Sequence, residues 1–256
     1  MKKELKNNKK LSDEERFFIA LEQLIGDCII SKALNRTVSA NDVFLNDDYR
    51  KMSLAPETEE DIKNVLIELD SEFNFDGSSL AQYIDGLITM HPVLGSRIVE
   101  FDEEQHFSPA RLITLSALQN NSVMFPESYS LLLNSMTVFN SMLTKNRLSK
   151  IKFDKLPDFD ELLKSISKPE IKESGYIEAK NGFDYKGGRI AQRAYYDLLR
   201  DVAHLSSSNK GLSSVLRFPK VLFENQYSCV FSKISQENIK LHIIKLLKEI
   251  YQIELA

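Results

Sequence analysis

The chain has little of what most quickly reveals a function. Its only cysteines, Cys28 and Cys229, lie far apart and show no metal-ligand spacing, which excludes a disulfide framework and a cysteine-based zinc site. Both read as core residues. No apolar run approaches the roughly 20 residues that cross a bilayer. The opening MKKELKNNKK leads into the polar SDEERFF without the apolar stretch of a signal peptide, so no membrane association and a cytoplasmic location are expected. His91, His106 and His242 are scattered without ligand spacing. Gly187-Gly188-Arg189 lacks the glycine pattern of a nucleotide-binding loop and reads as a turn before a helix. The serines have no nucleophile-elbow context. There is no internal repeat, and only the lysine-rich first ten residues are of low complexity.

What is present suffices for a folded protein. Over 256 residues, 43% are hydrophobic and 27% charged, enough apolar material for one large or two small domains. The net charge of -4 hides a division. Residues 1–144 carry 13 basic against 23 acidic side chains, a balance of -10, and residues 145–256 carry 20 against 14, a balance of +6. A polyanion such as nucleic acid is therefore expected at the C-terminal half, although the two halves can also simply attract each other.

The first half reads as a run of helices. Ser12 with Glu15 forms a capping box before Phe17, Leu21, Leu24 and Cys28, predicting a helix to about Leu34. Thr58 and Asp61 open a second, with Ile62, Val65, Leu66 and Leu69 on one side. Leu80, Tyr83, Ile84, Leu87 and Ile88 predict a third, stopped by His91-Pro92. A short strand is expected at Arg97–Phe101. Ser108-Pro109 starts another helix through Leu112, Leu115 and Leu118, and Pro126 precedes one more. Such a region suits a scaffold or a surface for a protein partner.

After Thr144 the pattern mixes short extended runs with helices. Ser149–Phe153, Gly175–Lys180, Val221–Phe223 and Ser228–Ile234 read as extended. Helical spacing runs from Arg189 to Leu205 through Ile190, Ala194, Tyr195, Leu198 and Val202. A last helix starts near Ser235, with Ile239, Ile243, Leu246 and Ile250 in one stripe. Tyr195-Tyr196 and Phe223 with Tyr227 read as core, with base stacking as the alternative. The fold class is α+β and predominantly helical: a helical region over 1–144, then a small mixed α/β unit over 145–256.

Within that unit come Pro157-Asp158, then Glu178-Ala179-Lys180 at the end of an expected strand, then the amphipathic helix from Arg189, then another extended segment. This order resembles the PD-(D/E)xK nuclease superfamily, over about residues 149–234. There the first acidic residue lies on a strand paired beside the second motif. The resemblance implies Mg²⁺-dependent cleavage of DNA or RNA, in a prokaryotic restriction or antiphage setting. Asp158 and Glu178 would be the metal ligands and Lys180 the catalytic lysine; two hard carboxylates suit Mg²⁺, which stabilises charge on the phosphate. Arg189, Gln192 and Arg193 would contact nucleic acid or support the site. Asp154 or Asp160 are alternatives to Asp158, and Glu170-Ile171-Lys172 and Asp184-Tyr185-Lys186 also fit the second element. Arg200 to His204 is one residue shorter than the arginine-to-histidine motif of HEPN ribonucleases, and His204 reads as a helix C-terminal histidine. The alternative function is a non-enzymatic adaptor, its helical half binding a protein and its basic half an acidic surface. Carboxylates converging beside Lys180 in a cleft favour the enzyme, and dispersed carboxylates with an exposed apolar patch favour the adaptor.

Overall fold

A computed structural model of the chain describes residues 10–34, 53–72, 84–103, 106, 109–119, 182–184, 188–207, 209 and 211–255. The capping box opens α1 (Asp13–Ile25): Glu15 N donates to the Ser12 hydroxyl at 3.0 Å, and Ser12 N donates to Glu15 Oε2 at 2.6 Å. The helix ends at Ile25 rather than near Leu34. Gly26 takes a left-handed φ of 68°, and the β-branched pair that follows forms β1 (Ile29–Ser31). Next, α2 (Pro56–Glu68) starts at a proline, two residues before the expected Thr58. Ile62, Val65, Leu66 and Leu69 are buried on its expected side.

The helix expected through Leu87 and Ile88 is a strand, β2 (Gly86–His91), which turns back into β3 (Gly95–Glu100). The strand expected at Arg97–Phe101 thus coincides with β3. The error over β2 has a physical source. Leu87 and Ile88 point to opposite faces of the sheet and both are buried, because apolar layers cover each face, so the alternation that marks a half-exposed strand is absent. Leu80 and Tyr83 lie outside the described residues. Met90, with φ 49°, and Gly95, with φ 67°, shape the turn. His91 Nδ1 accepts from Val93 N at 3.2 Å and Leu94 N at 3.1 Å.

Pro109 opens α3 (Pro109–Gln119) as expected. The helix expected after Pro126 and the extended runs at 149–153 and 175–180 fall outside the described residues. The helical spacing from Arg189 matches α4 (Gly188–Val202) and the 3-10 turn Ala203–Leu205. The next strand, β4 (Leu212–Arg217), was not legible in the sequence. Conversely, Val221–Phe223, expected to be extended, belongs to α5 (Lys220–Tyr227), which Pro219 introduces. Ser228–Ile234 holds a 3-10 turn, Phe231–Lys233, and no strand. The last helix, α6 (Gln236–Tyr251), begins where expected: Ser235 caps it by accepting from Asn238 N at 3.2 Å.

The strands form one sheet in the order β1-β2-β3-β4, antiparallel except for the parallel pair β3/β4. Extended structure is therefore not confined to the C-terminal part: among the described residues three strands precede residue 144 and one follows it. Ile29, Ile88, Val99 and Leu216 join α1, α5 and α6 in one core. Leu87, Ile98 and Val215 face the other way, against Ala203. The helices α2, α3 and α4 pack around a second core built on Leu66, Ala194, Tyr195 and Leu198. Among the described residues no helix is long and apolar enough to cross a membrane.

Gly86, at the start of β2, lies against the buried ring of Phe18: a Cβ there would meet Phe18 Cε1 at 2.6 Å and Cζ at 3.1 Å. Gly86→Ala is expected to lower the denaturation midpoint, by about 1–3 kcal/mol of stability, as for other overpacked cores. Chemical denaturation of the two proteins checks this, and equal midpoints would show that the ring moves aside freely.

Candidate active site

The parallel ladder between β3 and β4 continues past the ends of the strands. Phe218 N donates to Glu100 O at 2.9 Å, Asp102 N to Phe218 O at 3.2 Å and Lys220 N to Asp102 O at 3.0 Å. This places Glu100, Asp102 and Arg217 at one end of the sheet. Because β2 runs antiparallel to β3, its beginning lies at the same end and brings Asp85 there. The helix α4 adds Asp197, Arg200 and Asp201, one turn apart on a single face, and α3 adds Arg111.

Most of this charge is out of water. Arg217, Asp102 and Asp197 are wholly buried, and Glu100, Arg111 and Asp201 are 1% exposed. Arg217 is the hub. Its Nε donates to Asp201 Oδ1 at 2.6 Å, its Nη1 to Asp102 Oδ1 at 2.7 Å and its Nη2 to Asp197 O at 3.2 Å. Its backbone is held as well: Arg217 N donates to the Tyr251 hydroxyl at 2.7 Å, which donates to Arg217 O at 2.8 Å. Arg111 Nη2 takes the other oxygen of Asp201 at 2.7 Å. Arg200 pairs with Glu100 Oε2 at 2.9 Å and with Asp197 Oδ1.

Asp85 and Glu100 face each other across the β2/β3 pair. Phe101 N donates to Asp85 Oδ2 at 2.9 Å, and Asp85 N donates to Glu100 Oε1 at 3.4 Å. Burial pushes Glu100 up to about 8; Arg200 opposes the shift and Asp85 adds to it. Burial also raises Asp85, the Phe101 N–H and Arg200 working against it. Glu14, on α1, is raised to about 7 by burial and then by the charge of Asp85. Three carboxyls thus hold protons more tightly than free side chains do, which is what a carboxylate group short of cations does.

Asp102, His106 and Asp197 form a second group, with one donor atom from each within 4.8 Å of the others, able to hold a metal ion. His106 Nδ1 is 3.0 Å from Asp197 Oδ2 and 3.6 Å from Asp102 Oδ1. Burial opposes a charge on His106, but Asp197 and Asp102 outweigh it and raise its basicity. Burial likewise opposes ionisation of Asp197, yet His106, Arg200 and Arg217 hold that carboxyl well below the usual range. Asp102 Oδ2 is buried with no hydrogen-bond partner.

The residues singled out in the sequence are placed differently. Asp158, Glu178 and Lys180, with the alternatives Asp154, Asp160, Glu170 and Lys172, lie outside the described residues. Arg189 is in the first turn of α4. Gln192 is 5% exposed in the packed side of that helix, and Arg193 is partly exposed. Asp184 is exposed and accepts from Gly182 N at 3.2 Å. His204 Nδ1 lies 3.0 Å from Asp201 O in the turn after α4, and burial lowers its basicity. His242 packs edge-on to Phe223, with ring centroids 4.6 Å apart. The sequence reading passed over Asp85, Glu100, Asp102 and His106. Two signals were there: an acid at the end of an expected strand, Glu100-Phe101-Asp102, and the four-residue interval from Asp102 to His106.

Two outcomes follow. Arg217→Leu would leave Asp102 buried without its guanidinium and Asp201 with Arg111 alone, and is expected to cost about 3–5 kcal/mol of folding stability in denaturant melts; a loss under 1 kcal/mol would mean that the carboxyls simply take up protons. The second concerns pH. Glu100 binds its proton more tightly folded than unfolded, so its contribution is fully present below pH 4.5 and is lost as pH rises through about 8. Glu100→Gln, which keeps the acceptor, should flatten the decline in melting temperature between pH 5 and 8, and an unchanged slope would count against the raised carboxyl.

Comparison of the chain with known protein families, with curated proteins and with solved structures finds no match.

Proposed function

We propose that the protein is a metal-dependent nuclease whose acidic pair is Asp85 and Glu100. The observation that carries this reading is the position of the two acids, one immediately before β2 and one at the end of β3, on strands paired side by side. That is the arrangement the resemblance to PD-(D/E)xK nucleases requires of its two acidic elements. Further along the chain α3 intervenes before the amphipathic helix α4 and the strand β4. The resemblance read in the sequence covers Asp158, Glu178 and Lys180; Asp85 and Glu100 lie outside that span and support the reading by their position alone.

The donor set fits a hard divalent cation. Asp85 and Glu100 offer carboxylate oxygens, both carboxyls are raised, and neighbouring Asp102 keeps a buried oxygen without a partner. Mg²⁺ held by Asp85 and Glu100 would neutralise phosphate charge and supply a more acidic bound water. The protein's own residues do the rest. The Phe101 N–H fixes the Asp85 carboxylate, and Arg200 orients Glu100 through Oε2 and opposes the rise that burial imposes on it. Asp102 stands where the motif has lysine, so the nearby cations are Arg200 and His106 rather than a lysine two residues on. Asp85 and Glu14 are only partly buried and form the more exposed edge of the group, whereas Glu100 is 1% exposed. The basic excess after residue 144 supports nucleic acid as the substrate class. The adaptor reading is less favoured, because the carboxylates converge beside cations instead of lying dispersed.

The test is cleavage of single- and double-stranded DNA and RNA with Mg²⁺ or Mn²⁺ by wild type, Asp85→Asn, Glu100→Gln, Glu178→Ala and Lys180→Ala. Asp85→Asn and Glu100→Gln are expected to lose more than about 100-fold, beyond the effect of an outer-shell partner. Loss confined to Glu178→Ala and Lys180→Ala would move the site to the second motif. An inactive wild type would favour the adaptor.

A further inference from the structure

We propose that Asp102, His106 and Asp197 form a separate binding site for a first-row transition-metal ion, preferring Mn²⁺, Co²⁺ or Zn²⁺ to Mg²⁺. This goes beyond the nuclease reading and stands without it. The three donors come from neighbouring pieces of the fold: Asp102 from the ladder beyond β3, His106 four residues later and Asp197 from the middle of α4. One atom of each lies within 4.8 Å of the others, close enough for a single ion to touch all three with small adjustments.

The partners of each carboxylate point to a ligand. Both have one oxygen held by guanidinium groups: Arg217 Nη1 lies 2.7 Å from Asp102 Oδ1, and Arg200 pairs with Asp197 Oδ1. These contacts fix the carboxylate planes as outer-shell partners do around metals. The second oxygens are treated differently. Asp197 Oδ2 lies 3.0 Å from the imidazole Nδ1, and among the described residues Asp102 Oδ2 has no hydrogen-bond partner although Asp102 is wholly buried. A buried carboxylate oxygen left bare is destabilising; a bound cation would give Asp102 Oδ2 a partner and take the place of the proton between His106 Nδ1 and Asp197 Oδ2. One imidazole nitrogen with two carboxylates selects the ion: nitrogen donors favour the transition metals, whereas Mg²⁺ prefers oxygen and keeps its waters.

The experiment loads the full-length protein with Mn²⁺ and records electron spin echo modulation from ¹⁴N, which reports an imidazole bound directly to the ion, beside calorimetric titrations with Mn²⁺, Zn²⁺ and Mg²⁺. The expected result is nitrogen modulation, with Mn²⁺ and Zn²⁺ bound at least about tenfold more tightly than Mg²⁺. His106→Gln should lose the modulation and Asp102→Asn should weaken binding about 100-fold, while Asp85→Asn should retain the nitrogen signal. No modulation in wild type, or modulation that survives in His106→Gln, overturns the site; the first outcome needs no variant to fold. Nitrogen-ligated Mn²⁺ in a protein that cleaves no nucleic acid would leave this site standing and remove only the nuclease reading.

Discussion

The guanidinium of Arg217 is the contact on which the described architecture converges. It is wholly buried at the end of β4 and bonds carboxylates from the β3 extension and from α4, while its backbone exchanges hydrogen bonds with Tyr251 of α6. The sheet and the helices on either side of it therefore meet at one charged side chain. Taking so much charge out of water is unfavourable by itself. It is tolerated because nearly every guanidinium contact is charge-assisted and because arginine presents donors in a planar fork that reaches several acids at once.

That solution is incomplete in a specific way. The arginines satisfy Asp201 on both oxygens but Asp102 on one only, and toward α1 burial raises the carboxyls of Asp85, Glu100 and Glu14 by more than Arg200 and Lys32 lower them. A network built only for cohesion has no need of surplus buried acids, since apolar packing of the same volume is often as stable. Surplus acids at strand ends, with one imidazole among them, are what a cation-dependent reaction centre needs.

Local signals in the sequence were reliable where one interaction decides the outcome. Ser12 with Glu15 and Ser235 start α1 and α6 because side-chain oxygens satisfy the first free N–H groups, and neither needs the rest of the fold. The stripe from Ala194 to Val202 and the stripe from Ile239 to Ile250 face cores because each helix meets only one. The pattern failed where two layers compete. Leu87 and Ile88 are apolar on both sides of β2, and that doubling imitates helical spacing. Val221–Phe223 shows the reverse error: a compact apolar run reads as extended, yet Pro219 and the turn before it start a helix.

The sequence by itself determined the starts of α1, α3 and α6, the strand at β3 and the presence of enough acid and base to build a charged site, because these depend on neighbours within a few residues. It also pointed to acids at a strand end followed by an amphipathic helix, but Glu178 and Glu100 satisfy that wording equally well. Only the tertiary structure decided that Asp85, Glu100, Asp102, His106 and Asp197 meet. Residues as distant along the chain as Asp85 and Asp197 become neighbours through the antiparallel β2/β3 pair, the parallel β3/β4 pair and the packing of α4 beside them. Strand pairing across such separations is set by the burial of both sheet faces together, which no short stretch of sequence contains.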